Sequence, residues 1–249
     1  MKNVLITGAD RGLGYALCEG FLSIGWRVFA GRFMPEWTQL EELGRRFPER
    51  LIPIPLDVGD SRSAGRAAAG IAGTAGGIDL LVQNAGITGI ADPQREILNP
   101  EKDYLLQLDG LIQESSLTHA FDINALGALR VVRAMKPLMD AGMKRLCFVS
   151  SEAGSIAAST RRDYFAYTMS KAALNAAVRR MHRELSPQGY TFRLYHPGWL
   201  RTYMSGKKNL QAALEPEESA KAALRLFLEE KDSERVLELT DNQGAVWPF

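Results

Sequence analysis

The segment Val4-Leu5-Ile6-Thr7-Gly8-Ala9-Asp10-Arg11-Gly12-Leu13-Gly14 is a short apolar run that stops at a turn carrying Gly8, Gly12 and Gly14. Leu13, Ala16, Leu17, Phe21 and Leu22 then recur on one helical stripe, so the segment reads as strand, tight turn and helix. Each glycine has its own physical task there. Gly8 permits the turn, Gly12 lets a pyrophosphate approach the backbone, and Gly14 lets helix and strand pack closely. The helix N-terminus offers unpaired N–H groups and a favourable dipole to phosphates.

Outward from this turn the chain alternates. Arg27 to Gly31 forms a second strand after Gly25, a helix covers about 37 to 47, and Leu51 to Leu56 forms a third strand. An Ala-rich helix at about 61 to 74 leads to the strand Asp79-Leu80-Leu81-Val82. A helix from about 118 to 140, a strand Leu146 to Val149, a helix from about 165 to 186 and a strand Thr191 to Tyr195 follow. A helix at about 216 to 230 and a short strand near Val236-Leu237 close the pattern. Strands apolar throughout suit a sheet covered on both faces. Strict alternation therefore predicts an α/β fold: one doubly wound parallel sheet, a Rossmann fold with helices on both faces, as a single domain over 1–249. The stretch 88 to 117, helical around Tyr104 to Ile112, reads as a surface excursion near the site.

The 249 residues are 46% hydrophobic and 24% charged, as in ordinary globular proteins, and 30 Lys and Arg against 29 Asp and Glu leave a net charge of +1. That balance disfavours nucleic acid and anionic membrane as partners. No apolar run approaches the roughly 18 residues of a membrane span, and the pattern starts at once after Met1-Lys2-Asn3, so a cytoplasmic location is expected. Cys18 and Cys147 lack neighbours at ligand spacing, so no metal site is expected and both read as small buried apolar residues.

Tyr167 and Lys171 stand four apart on a predicted helix and so share a face. A phenol with a pKa of about 10 is a poor acid-base group near neutrality, and a neighbouring ammonium would favour its ionised form. Ser150 and Ser151 follow an apolar strand at the carboxyl edge of the sheet, where ligands of open α/β folds bind. A serine there either hydrogen-bonds a substrate carbonyl or caps the following turn. Asn124, in an otherwise apolar helix, is either a satisfied structural amide or part of a proton-relaying network. His119 and His182 read as helix-surface residues, and His196 ends a strand.

In order along the chain, Thr7-Gly8-xxx-Gly12-x-Gly14, Asn84-Ala85-Gly86, Asn124, Ser150-Ser151, Tyr167-xxx-Lys171 and His196-Pro197-Gly198 resemble the short-chain dehydrogenase/reductase family across nearly the whole length. Ser151 to Ile156, Ser170 to Asn175 and His196 to Trp199 look nearest to the branch of small carbonyl reductases and C-factor-type signalling proteins. The resemblance implies a catalytic tetrad of Asn124, Ser151, Tyr167 and Lys171. Tyr167 would exchange a proton with the carbonyl or alcohol oxygen. Lys171 would lower its pKa and hold the nicotinamide ribose, Ser151 would polarise the carbonyl, and Asn124 would hold a relaying water. Sixteen positions separate Ser151 from Tyr167, more than the dozen usual in the family, so the loop with Thr160-Arg161-Arg162-Asp163 is long and Ser150 is a fallback.

The resemblance also implies a dinucleotide site built from Gly8, Asp10, Arg11, Gly12, Leu13, Gly14, Asp57, Val58, Asn84, Ala85, Gly86, Tyr167, Lys171, Pro197, Gly198 and Thr202. Gln83, where the family most often has Asn, would shift that strand's local bonding. An acidic residue at the end of the second strand would favour NAD, whereas this chain has Gly31-Arg32 there and Arg11 in the turn, so NADP(H) is expected over NAD(H). Trp199, Tyr203 and Met204 either line a substrate pocket or pack on the helices. The expected activity is hydride transfer between nicotinamide and a carbonyl or secondary alcohol. The alternative is a dinucleotide-binding signalling or sensor protein without required turnover. Apolar residues on more than one face of the helices at 118 to 140 and 165 to 186 match family members that form homodimers or homotetramers.

Overall fold

The computed structural model describes residues 1–89, 114–161, 164–230 and 234–249. Strand β1 (Asn3–Ile6), helix α1 (Gly12–Ser23), β2 (Arg27–Arg32), α2 (Gln39–Arg46), β3 (Leu51–Pro55), α3 (Ser61–Ala75) and β4 (Leu80–Gln83) build the first half. Helices α4 (Glu114–Phe121) and α5 (Gly127–Met135), β5 (Arg145–Val149), α6 (Phe165–Leu185), β6 (Thr191–His196), α7 (Pro216–Leu228), β7 (Leu239–Asp241) and β8 (Val246–Trp247) follow. The reading of a helix around Tyr104 to Ile112 lies outside the described residues.

The strands form one sheet in the order β3-β2-β1-β4-β5-β6-β7-β8. All neighbouring pairs are parallel except β7 with β8. Alternate side chains explain why both faces need covering. Leu5, Phe29, Leu81, Leu146 and Phe148 point into a core shared with α3, α5 and α6. Val4, Ile6, Val28, Leu80, Val82 and Cys147 point into the opposite core, shared with α1, α2 and α7. The doubly wound architecture is therefore the expected one. The winding direction reverses between β1 and β4, which opens a crevice at their carboxyl ends.

Two local readings are corrected. The last parallel strand is not at Val236-Leu237 but at Leu239–Asp241, where Leu239 pairs with Leu194, while Val236 is exposed. The chain then reverses through a turn in which Asp241 Oδ1 accepts from the N–H groups of Gln243 and Ala245, and β8 returns antiparallel. The long helix read at 118 to 140 starts at Glu114, passes through a wide π turn at Asp122–Leu126, and tightens into a 3-10 turn at Lys136–Leu138, with Pro137 in it. Cys18 and Cys147 are free and buried, as expected, and burial pushes both thiols up.

A buried charge cluster joins the sheet to the segment after α7. Arg193, on β6, donates to Glu234 Oε2 at 2.7 Å and Oε1 at 2.8 Å, and to the carbonyls of Leu226 and Glu229. Removing one member of such a group leaves a buried charge without its counter-charge. Glu234→Ala is expected to cost about 2 to 3 kcal/mol, allowing for partial solvent screening. Thermal denaturation should read this as a fall of roughly 5 to 10 °C in Tm.

Candidate active site

The crevice is a cavity of about 630 Å³ lined by the glycine turn, the ends of β3, β4, β5 and β6, and the first turns of α6. At its base, Thr7 ends β1 and its hydroxyl accepts from the N–H groups of Asn84 (2.9 Å) and Ala85 (3.0 Å). Asn84 Nδ2 donates back to the carbonyls of Thr7 and Gly8. Gly14 is forced by this closeness: a Cβ there would lie 2.1 Å from Gly8 O and 2.6 Å from Asn84 Nδ2. Gly12, at φ +58°, faces Thr202, whose Cγ2 would be 3.2 Å from an added Cβ. Gly12 thus admits the segment after β6 as well as a ligand.

Asp57, Val58, Ala85, Gly86, Pro197, Gly198 and Thr202 all border the cavity, as do Gly8, Asp10, Arg11, Gly12 and Leu13. Asp10 is buried, and its carboxylate accepts from the N–H groups of Phe33 and Met34, so it fixes the chain after β2. Phe33 and Met34 then wall the same end, a contribution with no signal in the sequence. Arg11 lines the cavity and stacks at 4.7 Å on Trp37, which meets Tyr203 edge-on. Arg32 does not line it. Its guanidinium donates to Pro35 O at 2.5 Å and to Glu41 at 3.2 Å, so the second arginine expected at the cofactor is tied to α2.

Ser150 and Ser151 separate cleanly. Ser150 Oγ donates to Asn175 Oδ1 at 2.6 Å in a buried contact, and Asn175 Nδ2 donates to Gly154 O. These bonds fasten the loop after β5 to α6 and leave Ser150 structural. Ser151 opens on the same cavity as Tyr167, with its hydroxyl donating to Glu152 Oε2 and accepting from Ala153 N–H. The long loop before Tyr167 is taken up by a 3-10 turn at Glu152–Gly154 and by Tyr164, which sits at φ +58° just before α6.

Lys171 Nζ donates to Val149 O at 2.9 Å and lies 5.7 Å from the Tyr167 ring. Burial pulls the ammonium down to about 8 and pushes the phenol up to about 12, with the Glu152 charge adding to the latter. Burial thus outweighs the groups that favour the phenolate, which are Ser151 and Arg161. Asn124 sits in the π turn, which carries its amide inward. Its Oδ1 accepts from Ile87 N–H, and its Nδ2 donates to Ile87 O and Ser170 Oγ, each at 2.8 Å. With both amide hydrogens engaged, only the second Oδ1 lone pair is left to hold a water. Gln83 is satisfied by a route that a shorter Asn could not span in the same way, its Nε2 donating to Ala128 O at 3.2 Å.

His119 is exposed at the cavity rim, whereas His182 is half-buried against Phe192 and bonded to Glu234 O. His196 faces Glu152, a pairing across the sheet end that the sequence order does not reveal. Trp199, Tyr203 and Met204 do line the cavity, with Trp199 and Met204 also exposed.

The short chain dehydrogenase family model matches residues 2–213. The chain belongs to the short-chain dehydrogenase/reductase family. Among its relatives, the C-signal protein of Myxococcus xanthus is 37% identical over 175 residues, covering 70% of this chain and 94% of that one. A short-chain dehydrogenase/reductase of Burkholderia multivorans solved with bound NADP is 29% identical, with a TM-score of 0.82 over 100% of this chain and 99% of that chain. An NADPH-bound carbonyl reductase from chicken fatty liver is 27% identical, with a TM-score of 0.80 at the same coverage.

The glycine geometry gives a direct test. Gly14→Ala should lower Tm by at least 10 °C, because the obstructing atoms are largely backbone. Gly65→Ala, in α3 with open space around it, should instead leave Tm unchanged or raise it slightly.

Proposed function

We propose that the protein is an NADP(H)-dependent oxidoreductase that moves a hydride between nicotinamide and a carbonyl or secondary alcohol. The observation that carries the reading is that Ser151, Tyr167 and Lys171 open on the same cavity as the glycine turn. The cavity fits a dinucleotide, since a Cβ on Gly12 or Gly14 would crowd the turn where phosphates would lie. The N–H groups at the start of α1 would hold the pyrophosphate, Asn84 to Gly86 and Asp57-Val58 the adenosine half, and Lys171 and Thr202 the nicotinamide half. When bound, the nicotinamide supplies or accepts the hydride.

The protein's own residues would manage the proton. Tyr167 Oη would donate to the carbonyl oxygen as the carbon receives the hydride, and would take that proton back in alcohol oxidation. Ser151 would join Tyr167 in fixing the oxygen once its hydroxyl turns from Glu152 to the substrate, and Asn124 would hold the loop after β4 against α6. Trp199 and Met204 would turn an apolar wall to the substrate. Tyr167→Phe should lower kcat for carbonyl reduction by about 10²- to 10⁴-fold while leaving the NADPH affinity within a few-fold. Steady-state rates and fluorescence titration of NADPH measure the two separately.

The preference for NADP(H) rests on Arg11, which faces the cavity at the glycine turn, and is supported by the NADP-bound neighbours. Arg11→Ala should raise the Kd of NADPH at least tenfold and change that of NADH much less. Arg32→Ala should separate the two cofactors less, because Arg32 is bonded to Glu41 and Pro35. Equal losses for NADPH and NADH in Arg11→Ala would remove the preference.

The relation to C-signal supports a second reading, a dinucleotide-binding signalling protein on this fold. Tyr167→Phe discriminates, since a sensor would keep its biological output. A cytoplasmic location and a homodimer or homotetramer belong to the same proposal. Phe121, Leu129 and Met169 are exposed on α4, α5 and α6, and no helix among the described residues is long and apolar enough to cross a membrane.

A further inference from the structure

Beside Ser151 the cavity wall carries a carboxylate with no part in the scheme above. Glu152 follows the serine directly, and its side chain is only 16% exposed. It is held from three directions. Ser151 Oγ donates to its Oε2 at 2.6 Å, Arg161 Nε donates to its Oε1 at 2.5 Å, and His196 Nδ1 lies 3.3 Å from Oε2, close but not aligned for a hydrogen bond. His196 is itself fixed by Trp247, which meets it edge-on at 5.7 Å and whose indole N–H is anchored on Asp241.

A serine hydroxyl has one proton and two lone pairs. In Ser151 the proton goes to Glu152, and one lone pair accepts from Ala153 N–H at 3.1 Å. With its proton on Glu152, Ser151 has none to give the Tyr167 phenolate, the form that a hydrogen bond from Ser151 favours. A serine free to donate would instead stabilise the phenolate. The Glu152 charge acts in the same sense through space.

We propose that Glu152 is a positioning residue that holds the Ser151 proton and thereby keeps Tyr167 protonated, biasing the site toward carbonyl reduction over alcohol oxidation. The inference rests on the reading of Tyr167 as the acid-base group. Reduction needs the phenol as acid, with its O–H bond breaking as the substrate oxygen gains the proton and the carbon gains the hydride from NADPH. Oxidation needs the phenolate as base. Among the described residues, the other charged or titratable groups near Tyr167 include Arg161 and Tyr164 ahead of α6, Lys171 from α6, His119 and Asp122 lining the same cavity, and His196 and Asp241 behind Glu152. Arg161 opposes Glu152 in sign.

The opposed signs make the test specific. The phenolate absorbance of Tyr167 is read as the difference between each protein and the same protein carrying Tyr167→Phe. The measurement is made at a fixed alkaline pH at which circular dichroism finds all the proteins folded. Glu152→Gln should raise the Tyr167 phenolate fraction about three- to tenfold, equivalent to about half to one pH unit. Arg161→Gln should lower it. With NADP(H) and the pair acetophenone and 1-phenylethanol, Glu152→Gln should raise the ratio of oxidation to reduction kcat by a similar factor. An unchanged phenolate fraction in Glu152→Gln, or shifts of the same sign in both variants, overturns the proposal. Absence of turnover with both compounds in the unmodified protein would count against the oxidoreductase reading, while the absorbance difference would still decide the role of Glu152. A loss of both rates in equal proportion with no change in phenolate would mark Glu152 as merely structural.

Discussion

The brace between the ends of β1 and β4 is the constraint on which the rest depends. The Thr7 hydroxyl accepts from the N–H groups of Asn84 and Ala85, and the Asn84 amide donates to the carbonyls of Thr7 and Gly8, four hydrogen bonds across the point where the sheet reverses its winding. Because these polar groups are satisfied, the two strand ends lie close enough that the first turn of α1 admits only a glycine at position 14. That closeness sets the floor of the cavity, and every element that reaches it from the far side, from α6 to Thr202, is placed against that floor.

A second layer of bonds positions the reacting groups without touching a substrate. Ser150 with Asn175, Asn124 with Ser170 and Ile87, and Lys171 with Val149 each tie α6 to a neighbouring strand end or loop. Sites held by locked side chains of this kind vary little in geometry, which proton transfer requires. The same desolvation moves the ionisation of Tyr167 and Lys171 in opposite senses, so the phenol at about 12 and the ammonium at about 8 stand well apart in proton affinity, whereas in water they are close.

How much of this could be read from the sequence depended on range. The glycine turn and the Tyr167–Lys171 pair are local patterns whose meaning follows from strand and helix periods, and they lie where those periods put them. Arg32 shows the limit: its position at the end of β2 was legible, but its engagement with Glu41, nine residues on, was set by α2 packing. Glu152 gave no signal because its meaning comes from His196, on another strand, and from a loop whose path was open. The final strand was misplaced because an apolar pair was weighed above the Asp241 to Gly244 turn, whose carboxylate bonds define the hairpin.

The residues from Trp247 to Phe249 form a strap under the reactive loop. Ser155 Oγ donates to Pro248 O, Trp247 rests on His196, and Phe249 lies under the Arg179 guanidinium. Strands β7 and β8 are short and lie at the sheet edge, where local opening is least opposed. A purification tag or fusion partner joined after Phe249 would therefore pull on a part of the molecule mechanically coupled to the serine loop. Attachment ahead of β1, on the opposite side of the strand from the cavity floor, avoids that coupling.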